Sequence, residues 1–236
     1  AHGLQSGHAG ELAHDAAEAW HRGVRVALDE VLSAAGDVDV RGVNVAAMVP
    51  SLCAVGADGV PVSPGLLYGD GRGAGGEPGK NPSESGELTR FLAWLARAHP
   101  EAMGFWPAHR VANHALCGEG VIETTVAMTA WPLFDYTGWD PEVARAAGVA
   151  DVSALPRIVV GSEAVGRVPA AGGAVLGGGT IDALGEQLVA GADHDGDVLV
   201  ILGATCIVWA VVPEWQEVPG LWTVPHTTPG KVLLGG

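Results

Sequence analysis

The longest apolar run of the chain, Val198 to Val212, is interrupted by Gly203, Ala204 and Thr205. The run is shorter than the roughly 20 apolar residues that a membrane-spanning helix needs. Short valine-rich segments bounded by turn residues are typical of buried strands. The run therefore predicts two core strands joined by a tight turn, and a turn of small residues is suited to face phosphate oxygens with its main-chain amides.

A second informative stretch is the glycine run Gly177 to Gly179, which is followed by Asp182 at the start of a helix predicted from Ala183 to Val189. Consecutive glycines let a turn approach a ligand closely. A carboxylate that can accept a hydroxyl proton, near a phosphate-accepting turn, indicates phosphoryl transfer to an alcohol. From the residues alone, a simple helix cap at Asp182 is the preferred interpretation.

The rest of the chain alternates between helical and strand patterns, which predicts an α/β fold. Apolar stripes at helical spacing and terminating Gly or Pro residues indicate helices, and short valine-rich segments beside turn residues indicate strands. The predicted helices include a stripe of Trp20, Val24, Leu28 and Val31 that stops at Gly36, then Glu87 to His99, Pro107 to Leu116 and Pro141 to Ala147. The predicted strands include Leu52 to Val55 and Val60 to Val62, around a turn at Ala57, Asp58 and Gly59.

Composition excludes several classes of protein. The 236 residues are 48% hydrophobic and 17% charged, which is enough apolar material for a sizeable core. The net charge of -15, with only 12 Lys and Arg residues, argues against a nucleic-acid partner or an anionic membrane. The start of the chain carries no signal-peptide pattern. Cys53, Cys117 and Cys206 lie far apart in apolar surroundings, so we expect buried free thiols in a reducing compartment, and neither disulfides nor a zinc site.

Several motifs resemble those of the FGGY carbohydrate kinases, and most closely their xylulokinase-like members. The glycine run with Asp182 and Ala183 is similar to the family's Gly-x-x-Asp-Ala loop, and Gly203 to Thr205 is similar to its Gly-Thr-Ser/Thr turn. Other similar segments follow in the family's order over nearly the whole chain: Leu66 to Arg72, Leu116 to Glu119, Leu133 to Asp135, Gly138 to Asp140, Leu155 to Arg157, and Gly196 to Val198.

This resemblance implies a ribonuclease H-like, actin-like ATPase fold of the sugar kinase, Hsp70 and actin superfamily. Residues 1–190 would form the N-terminal domain without its first strands, and residues 191–236 would begin the C-terminal ATP-binding domain. The family's N-terminal Asp-x-Gly-Thr phosphate loop has no counterpart here, and the chain stops before such kinases end. We therefore expect an incomplete polypeptide that is inactive by itself.

The resemblance also implies roles for individual residues. Asp182 would be the general base, and Gly203, Ala204 and Thr205 would bind the phosphates of ATP, although the family usually has Thr in place of Ala204. Predicted sugar contacts are Pro50, Ser51, Asp70 and Thr180. Xylulokinases carry Gln-Met-His-Gly where this chain has Met48, Val49, Pro50 and Ser51, so the sugar-contacting His is absent. A salt bridge between Asp70 and Arg72 is an equally good interpretation of that pair.

The function implied is phosphorylation of a ketopentose such as xylulose, with ATP and Mg²⁺ as cofactors, in the cytoplasm. No residue of this chain is expected to ligate a metal directly. Alternatives are a kinase for ribulose, erythritol or glycerol, and a non-catalytic sugar-binding relative, since Ala204 and the missing His both depart from the family. The expected partner is a small sugar, without nucleic acid or membrane, and the assembly is either a monomer or a homodimer.

Overall fold

The computed structural model describes residues 3–5, 7, 10–73, 86–161, 163–202 and 206–236. Its helices are α1 (Gly23–Ala35), α2 (Glu87–Ala98), α3 (Ala108–Cys117), α4 (Thr124–Ala127), α5 (Pro141–Ala146) and α6 (Asp182–Ala190). Its strands are β1 (Ala13–His14), β2 (Gly42–Val43), β3 (Ala46–Ala47), β4 (Ser51–Val55), β5 (Gly65–Leu67), β6 (Gly104–Trp106), β7 (Val121–Glu123), β8 (Arg157–Val159), β9 (Gly166–Val168), β10 (Ala174–Leu176), β11 (Thr180–Ile181), β12 (Val198–Leu202), β13 (Cys206–Val212), β14 (Trp222–Pro225) and β15 (Val232–Gly235). The predicted α/β class is confirmed.

The largest core forms where α2 packs against an antiparallel sheet of order β1-β5-β4-β6. Every residue of β4 is buried. The apolar stripe predicted for α2 is confirmed, because its buried residues are Leu88, Phe91, Leu92 and Leu95. Packing against the sheet removes this apolar side of the amphipathic helix from water. The predicted strand Val60 to Val62 is wrong, since that segment makes only one isolated bridge, between Val55 and Pro61.

The first helical segment differs in part from the prediction. A π-helical turn over Ala17–Arg22 leads into α1, which ends before Gly36 as predicted. Val24, Leu28 and Leu32, spaced four residues apart, are the side chains of α1 that pack against a core cluster. Val31 is 63% exposed because it lies outside that row, so its predicted burial is wrong.

Two short parallel strand pairs carry the chain towards the glycine run. β10 pairs with β2, and β11 pairs with β3. The pairing is interrupted between these two pairs. Asn44 and Val45 separate β2 from β3, and Gly177 to Gly179 separate β10 from β11. The Oδ1 atom of Asn44 accepts a hydrogen bond of 3.1 Å from the N–H of Gly179 across this interruption. The glycine run is thereby held against a neighbouring strand instead of projecting into solvent.

The C-terminal part of the chain forms a second, antiparallel sheet of order β12-β13-β15-β14. The two strands predicted in the run Val198 to Val212 are confirmed as the hairpin of β12 and β13. Their predicted complete burial is wrong, because β12 alternates and leaves Val198, Val200 and Leu202 exposed. Cys206 is exposed for the same reason and Cys117 is half-buried, so only Cys53 is the buried thiol that the sequence predicts.

Helix α6 joins the two parts of the structure. Leu184 of this helix packs in one apolar cluster with Trp209, Val211 and Leu233 of the C-terminal sheet. The fully buried amide of Gln187 donates a 2.9 Å hydrogen bond to the carbonyl of Ala192. Its Oε1 atom accepts a 2.6 Å hydrogen bond from the hydroxyl of Thr227. None of the helices in the described part of the chain is long and apolar enough to cross a membrane.

Candidate active site

A cavity of about 450 Å³ lies between the α/β core and the C-terminal sheet. From the α/β core, the cavity is lined by residues just before β4, just after β5 and at the starts of α2 and α6. From the C-terminal sheet, it is lined mainly by apolar side chains. The residues that matter for the argument below are Met48, Val49, Pro50, Glu87, Asp182 and Cys206. The cavity thus has an apolar lining into which two carboxylate side chains project.

Asp182 lines this cavity as the first residue of α6 and is exposed. Its Oδ1 atom accepts a 2.8 Å hydrogen bond from the N–H of Ala183. The N-cap position belongs to Ile181, which makes no side-chain cap. Asp182 therefore contacts the first turn of the helix without being its cap residue, and its carboxylate remains accessible from the cavity.

Glycine is required in the loop before Asp182 for two separate reasons. A side chain at Gly178 would place its Cβ 2.7 Å from Cγ2 of Val159 and 3.1 Å from Cβ of Glu123. Gly179 has φ of 103°, a backbone conformation that other residues rarely adopt. The loop is also held by Asn113, whose amide donates a 3.1 Å hydrogen bond to the carbonyl of Gly178. The position of Asp182 is therefore set by close packing of the preceding backbone.

His109 is a second support for this loop, and no sequence pattern indicates this role. The side chain is fully buried, and its Nε2 atom lies 2.8 Å from the carbonyl oxygen of Thr180. Burial lowers the pKa of His109 to about 4, although the main-chain carbonyls of Thr180 and Ala47 act in the opposite direction. The imidazole is therefore neutral at pH 7, and Nε2–H donates to Thr180, two residues before Asp182.

Of the predicted sugar contacts, Pro50 lines the cavity, whereas the side chains of Ser51, Asp70 and Thr180 do not. Ser51 is fully buried, and its hydroxyl accepts a 3.2 Å hydrogen bond from the N–H of Ala108 at the start of α3. The main chain of Thr180 is engaged with Val45 and His109. Ser51 and Thr180 therefore have clear structural roles beneath the cavity wall.

Asp70 is occupied by an ion pair with Arg72, which is the alternative that the sequence left open. The carboxylate is 1% exposed and accepts hydrogen bonds from Nε and Nη2 of Arg72, at 2.8 and 2.6 Å. It also accepts from the main-chain N–H groups of Arg72 and Leu12. Burial opposes ionisation of this carboxyl, but the hydrogen bonds from Arg72 and Leu12 outweigh it, so the pKa of Asp70 lies below its usual value.

Glu87, which the sequence indicates only as a helix start, is the other carboxylate of the cavity. Its Oε1 atom accepts a 2.7 Å hydrogen bond from the N–H of Gly69. Burial raises the pKa of Glu87, against the opposing effects of the Gly69 N–H and of the positive charge on Arg90. The side chain thus ties the end of β5 to the start of α2 at the edge of the cavity.

The predicted phosphate-binding residues Gly203, Ala204 and Thr205 lie outside the described residues. Cys206, which follows them directly, lines the same cavity as Asp182. Within the described ranges, no group of three His, Cys, Asp or Glu side chains is placed to hold a metal ion.

The fold is shared with several solved structures along the whole chain. Xylulose kinase from Rhodospirillum rubrum superposes with a TM-score of 0.79 at 23% identity, covering 100% of this chain and 54% of that structure. Glycerol kinase from Plasmodium falciparum, solved with ADP, gives a TM-score of 0.78 at 14% identity, with the same coverage of both chains. The chain therefore has the actin-like ATPase fold of sugar kinases, as the sequence predicted.

A comparison of sequences indicates which sugar kinases this chain is related to. Xylulose kinase from Streptomyces coelicolor is 31% identical over 182 residues, which make up 67% of this chain and 37% of that enzyme. No family model matches the chain. The chain is nevertheless a homologue of xylulose kinases, which are FGGY-type sugar kinases, and the predicted resemblance is confirmed. The matched region spans less than half the length of this curated relative.

Proposed function

We propose that the protein transfers the γ-phosphoryl group of ATP to a hydroxyl of a sugar, most suitably a ketopentose such as xylulose, with Asp182 as general base. One observation carries the proposal: the Asp182 carboxylate is accessible in a cavity of about 450 Å³, at the start of α6 and directly after a loop whose backbone is fixed by close packing. The homology to xylulose kinases supports the same chemistry.

In this proposal Asp182 accepts the proton of the attacking hydroxyl as its oxygen approaches the phosphorus atom. General-base assistance of this kind is worth about 10²–10⁴-fold in rate. The segment Gly203 to Thr205 would bind the ATP phosphates, since it directly precedes Cys206 in the cavity lining. Mg²⁺ bound with ATP would neutralise charge at the transferred group. The cavity walls would exclude water and hold the hydroxyl in line.

The identity of the sugar is the open part of the proposal. Met48, Val49 and Pro50 present apolar surface where xylulokinases have their sugar-contacting His. This difference, and the structural likeness to a glycerol kinase, keep ribulose, erythritol and glycerol as alternative acceptors. The missing His also leaves a different class of protein as an alternative, namely a relative that binds sugar without catalysing phosphoryl transfer. We propose a cytoplasmic location, and a domain boundary between residues 190 and 191 at the end of α6.

The test is a coupled ATP-consumption assay on the intact gene product with a panel of ketoses and polyols. Asp182→Asn keeps the shape of the side chain but removes the base, and we expect turnover to fall by about 10²–10⁴-fold. Glu186→Gln is the matched control, because it removes an exposed carboxylate from the same helix and should leave turnover unchanged.

Sugar-dependent turnover that survives Asp182→Asn would refute the role of Asp182. Binding of ATP and sugar without turnover on any acceptor would replace the kinase with the non-catalytic relative. Turnover with glycerol or erythritol in preference to every ketopentose would correct the substrate class alone.

A further inference from the structure

A second cavity, of about 600 Å³, lies on another part of the molecule. It is bounded by α3, by residues 134–139 and by residues 151–160, and it shares no lining residue with the cavity that contains Asp182. The side chains that give it chemical character are Arg110, Tyr136, Thr137, Trp139, Ser153 and Arg157. The short helix α4 lies between the two cavities, because Thr124 lines one and Thr125 lines the other.

Arg110 is the unusual group of this second cavity. Its guanidinium lies over the ring of Trp106, 3.9 Å from the centroid, and Nη1 donates a 2.7 Å hydrogen bond to the carbonyl of Leu155. Nε is buried without a hydrogen-bond partner, and no carboxylate of the described residues lies within ion-pair distance of Arg110. Burial lowers the pKa of Arg110 to about 10. Arg110 is half-buried, and its charge is offset by the Trp106 ring and the Leu155 carbonyl without a carboxylate in the described residues, so it can still pair with an anionic ligand.

The surroundings add to the positive charge of the cavity. Arg157 contributes a second cation, and its only ion pair among the described residues is a loose, exposed one of 3.6 Å with Glu163. Asp151 is the one carboxylate in the lining, and its Oδ1 atom accepts a 2.8 Å hydrogen bond from the N–H of Ser153. The lining itself holds two arginines and one carboxylate, while the carboxylates of Glu163 and Asp135 lie next to it and contact Arg157 and Thr137. Of the two cations, Arg110 is the one without a carboxylate partner in the described part of the chain, so it is the group available to an anion.

Aromatic side chains form another part of the lining of this cavity. Tyr136 is 59% exposed, and its ring rests on Phe134 with 5.7 Å between centroids. Trp139 packs edge-on against Phe134 and donates a 2.6 Å hydrogen bond from Nε1 to the carbonyl of Pro156. The rings are therefore held in place by one another. An exposed, supported aromatic ring in the same lining as two arginines suits a ligand that combines a ring with a negative group.

We propose that this second cavity binds a small phosphate monoester carried on a ring, that is, a sugar phosphate or a nucleoside monophosphate. The phosphate pairs with Arg110 and Arg157, since guanidinium groups form bidentate hydrogen bonds with phosphate oxygens. The ring lies against Tyr136. Thr137 and Ser153 also line the cavity, with the Thr137 hydroxyl donating a 2.6 Å hydrogen bond to Oδ1 of Asp135. This proposal is independent of the proposed kinase activity.

The test is isothermal titration calorimetry with four probes: ribose 5-phosphate, adenosine monophosphate, inorganic phosphate and ribose. Preference between the first two distinguishes a sugar phosphate from a nucleotide. We expect Arg110→Gln and Tyr136→Asn each to weaken the better monoester at least tenfold. Asn tolerates the positive φ of 69° at residue 136, so this variant removes the ring without straining the backbone. Arg41→Gln is the control, since it removes an equal charge from an exposed site outside the cavity.

The variants also decide where a bound ester lies. Neither Arg110 nor Tyr136 lines the cavity of Asp182, so affinity lost in both variants places the ester in the second cavity. If Arg110→Gln fails to fold, judged by circular dichroism, the exposed Tyr136 variant decides alone. The proposal is overturned if neither monoester binds at millimolar concentration, if both variants bind as the unaltered protein does, or if inorganic phosphate binds as tightly as the esters.

Discussion

The neutral, buried His109 makes the stability of the protein depend on pH in a predictable way. In the unfolded chain this imidazole has its ordinary pKa of 6.5, whereas burial lowers the pKa to about 4 in the folded state. Between these values the unfolded state binds a proton that the folded state does not, so stability falls as the pH decreases from 6.5 towards 4. The full loss is about 3 kcal/mol, since each tenfold difference in proton affinity is worth about 1.4 kcal/mol.

The assay is denaturant unfolding followed by tryptophan fluorescence, at about pH 7.5 and about pH 5. At the lower pH the unfolded imidazole is almost fully protonated and the folded one is mostly neutral, which corresponds to a loss of about 2 kcal/mol from His109. Carboxylates and the partly buried His21 and His114 also titrate. His109→Gln separates their contribution, because its amide can still donate to the carbonyl of Thr180 but carries no titrating proton.

The free energy of unfolding should therefore fall by about 2 kcal/mol more in the unaltered protein than in His109→Gln between the two pH values. Equal losses in the two proteins would refute the reasoning, since His109 would then have the same pKa in the folded and unfolded states. Nitrogen chemical shifts of the imidazole, measured across the same pH range, report the folded-state pKa directly. A folded-state pKa near 6.5 would contradict the assignment independently.

Three further substitutions test other parts of the structure. Phe91→Ala should lower the free energy of unfolding by about 3–5 kcal/mol, because it leaves a cavity in the core, and urea unfolding would show it; a loss below about 1 kcal/mol would contradict complete burial. Asp70→Asn should lower it by roughly 3 kcal/mol, since Arg72 is left without its counterion, whereas exposed Asp39→Asn should have little effect. Gly179→Ala should lower it by about 1–3 kcal/mol from backbone strain, measured by thermal unfolding, and an unchanged melting temperature would contradict the positive φ.

Local patterns in the sequence predicted the elements that local physics determines. The stripe of α2, the stop at Gly36 and the hairpin after residue 197 follow from periodicity and turn residues, and all three are present. Asp140 directly before Pro141 is a pattern typical of a helix start, and its carboxylate accepts from two N–H groups of the first turn of α5. Each of these features depends on residues within a few positions of one another.

The support of the candidate site depends on contacts that no local pattern reveals. His109 reaches Thr180 across 71 positions of the chain, and Asn44 reaches Gly179 across 135. The position of His109 on α3 allows a comparison only with nearby residues such as His114. The sequence therefore does not reveal that Thr180 is the hydrogen-bond partner of His109. The exposure of Cys206 was missed for a related reason, because an apolar run does not reveal which face of a sheet is covered. Only the motif around Asp182 was recognisable in advance.

The buried amide of Gln187 has a mechanical consequence. It fastens the middle of α6 to Ala192 and Thr227, while the first residue of that helix is Asp182. Helices resist bending over so few turns, so a displacement of the C-terminal sheet would be transmitted along α6 to the end that carries Asp182. The carboxylate is thus anchored from both sides of the cavity, by the packed glycine run that precedes it and by the sheet that holds the rest of its helix.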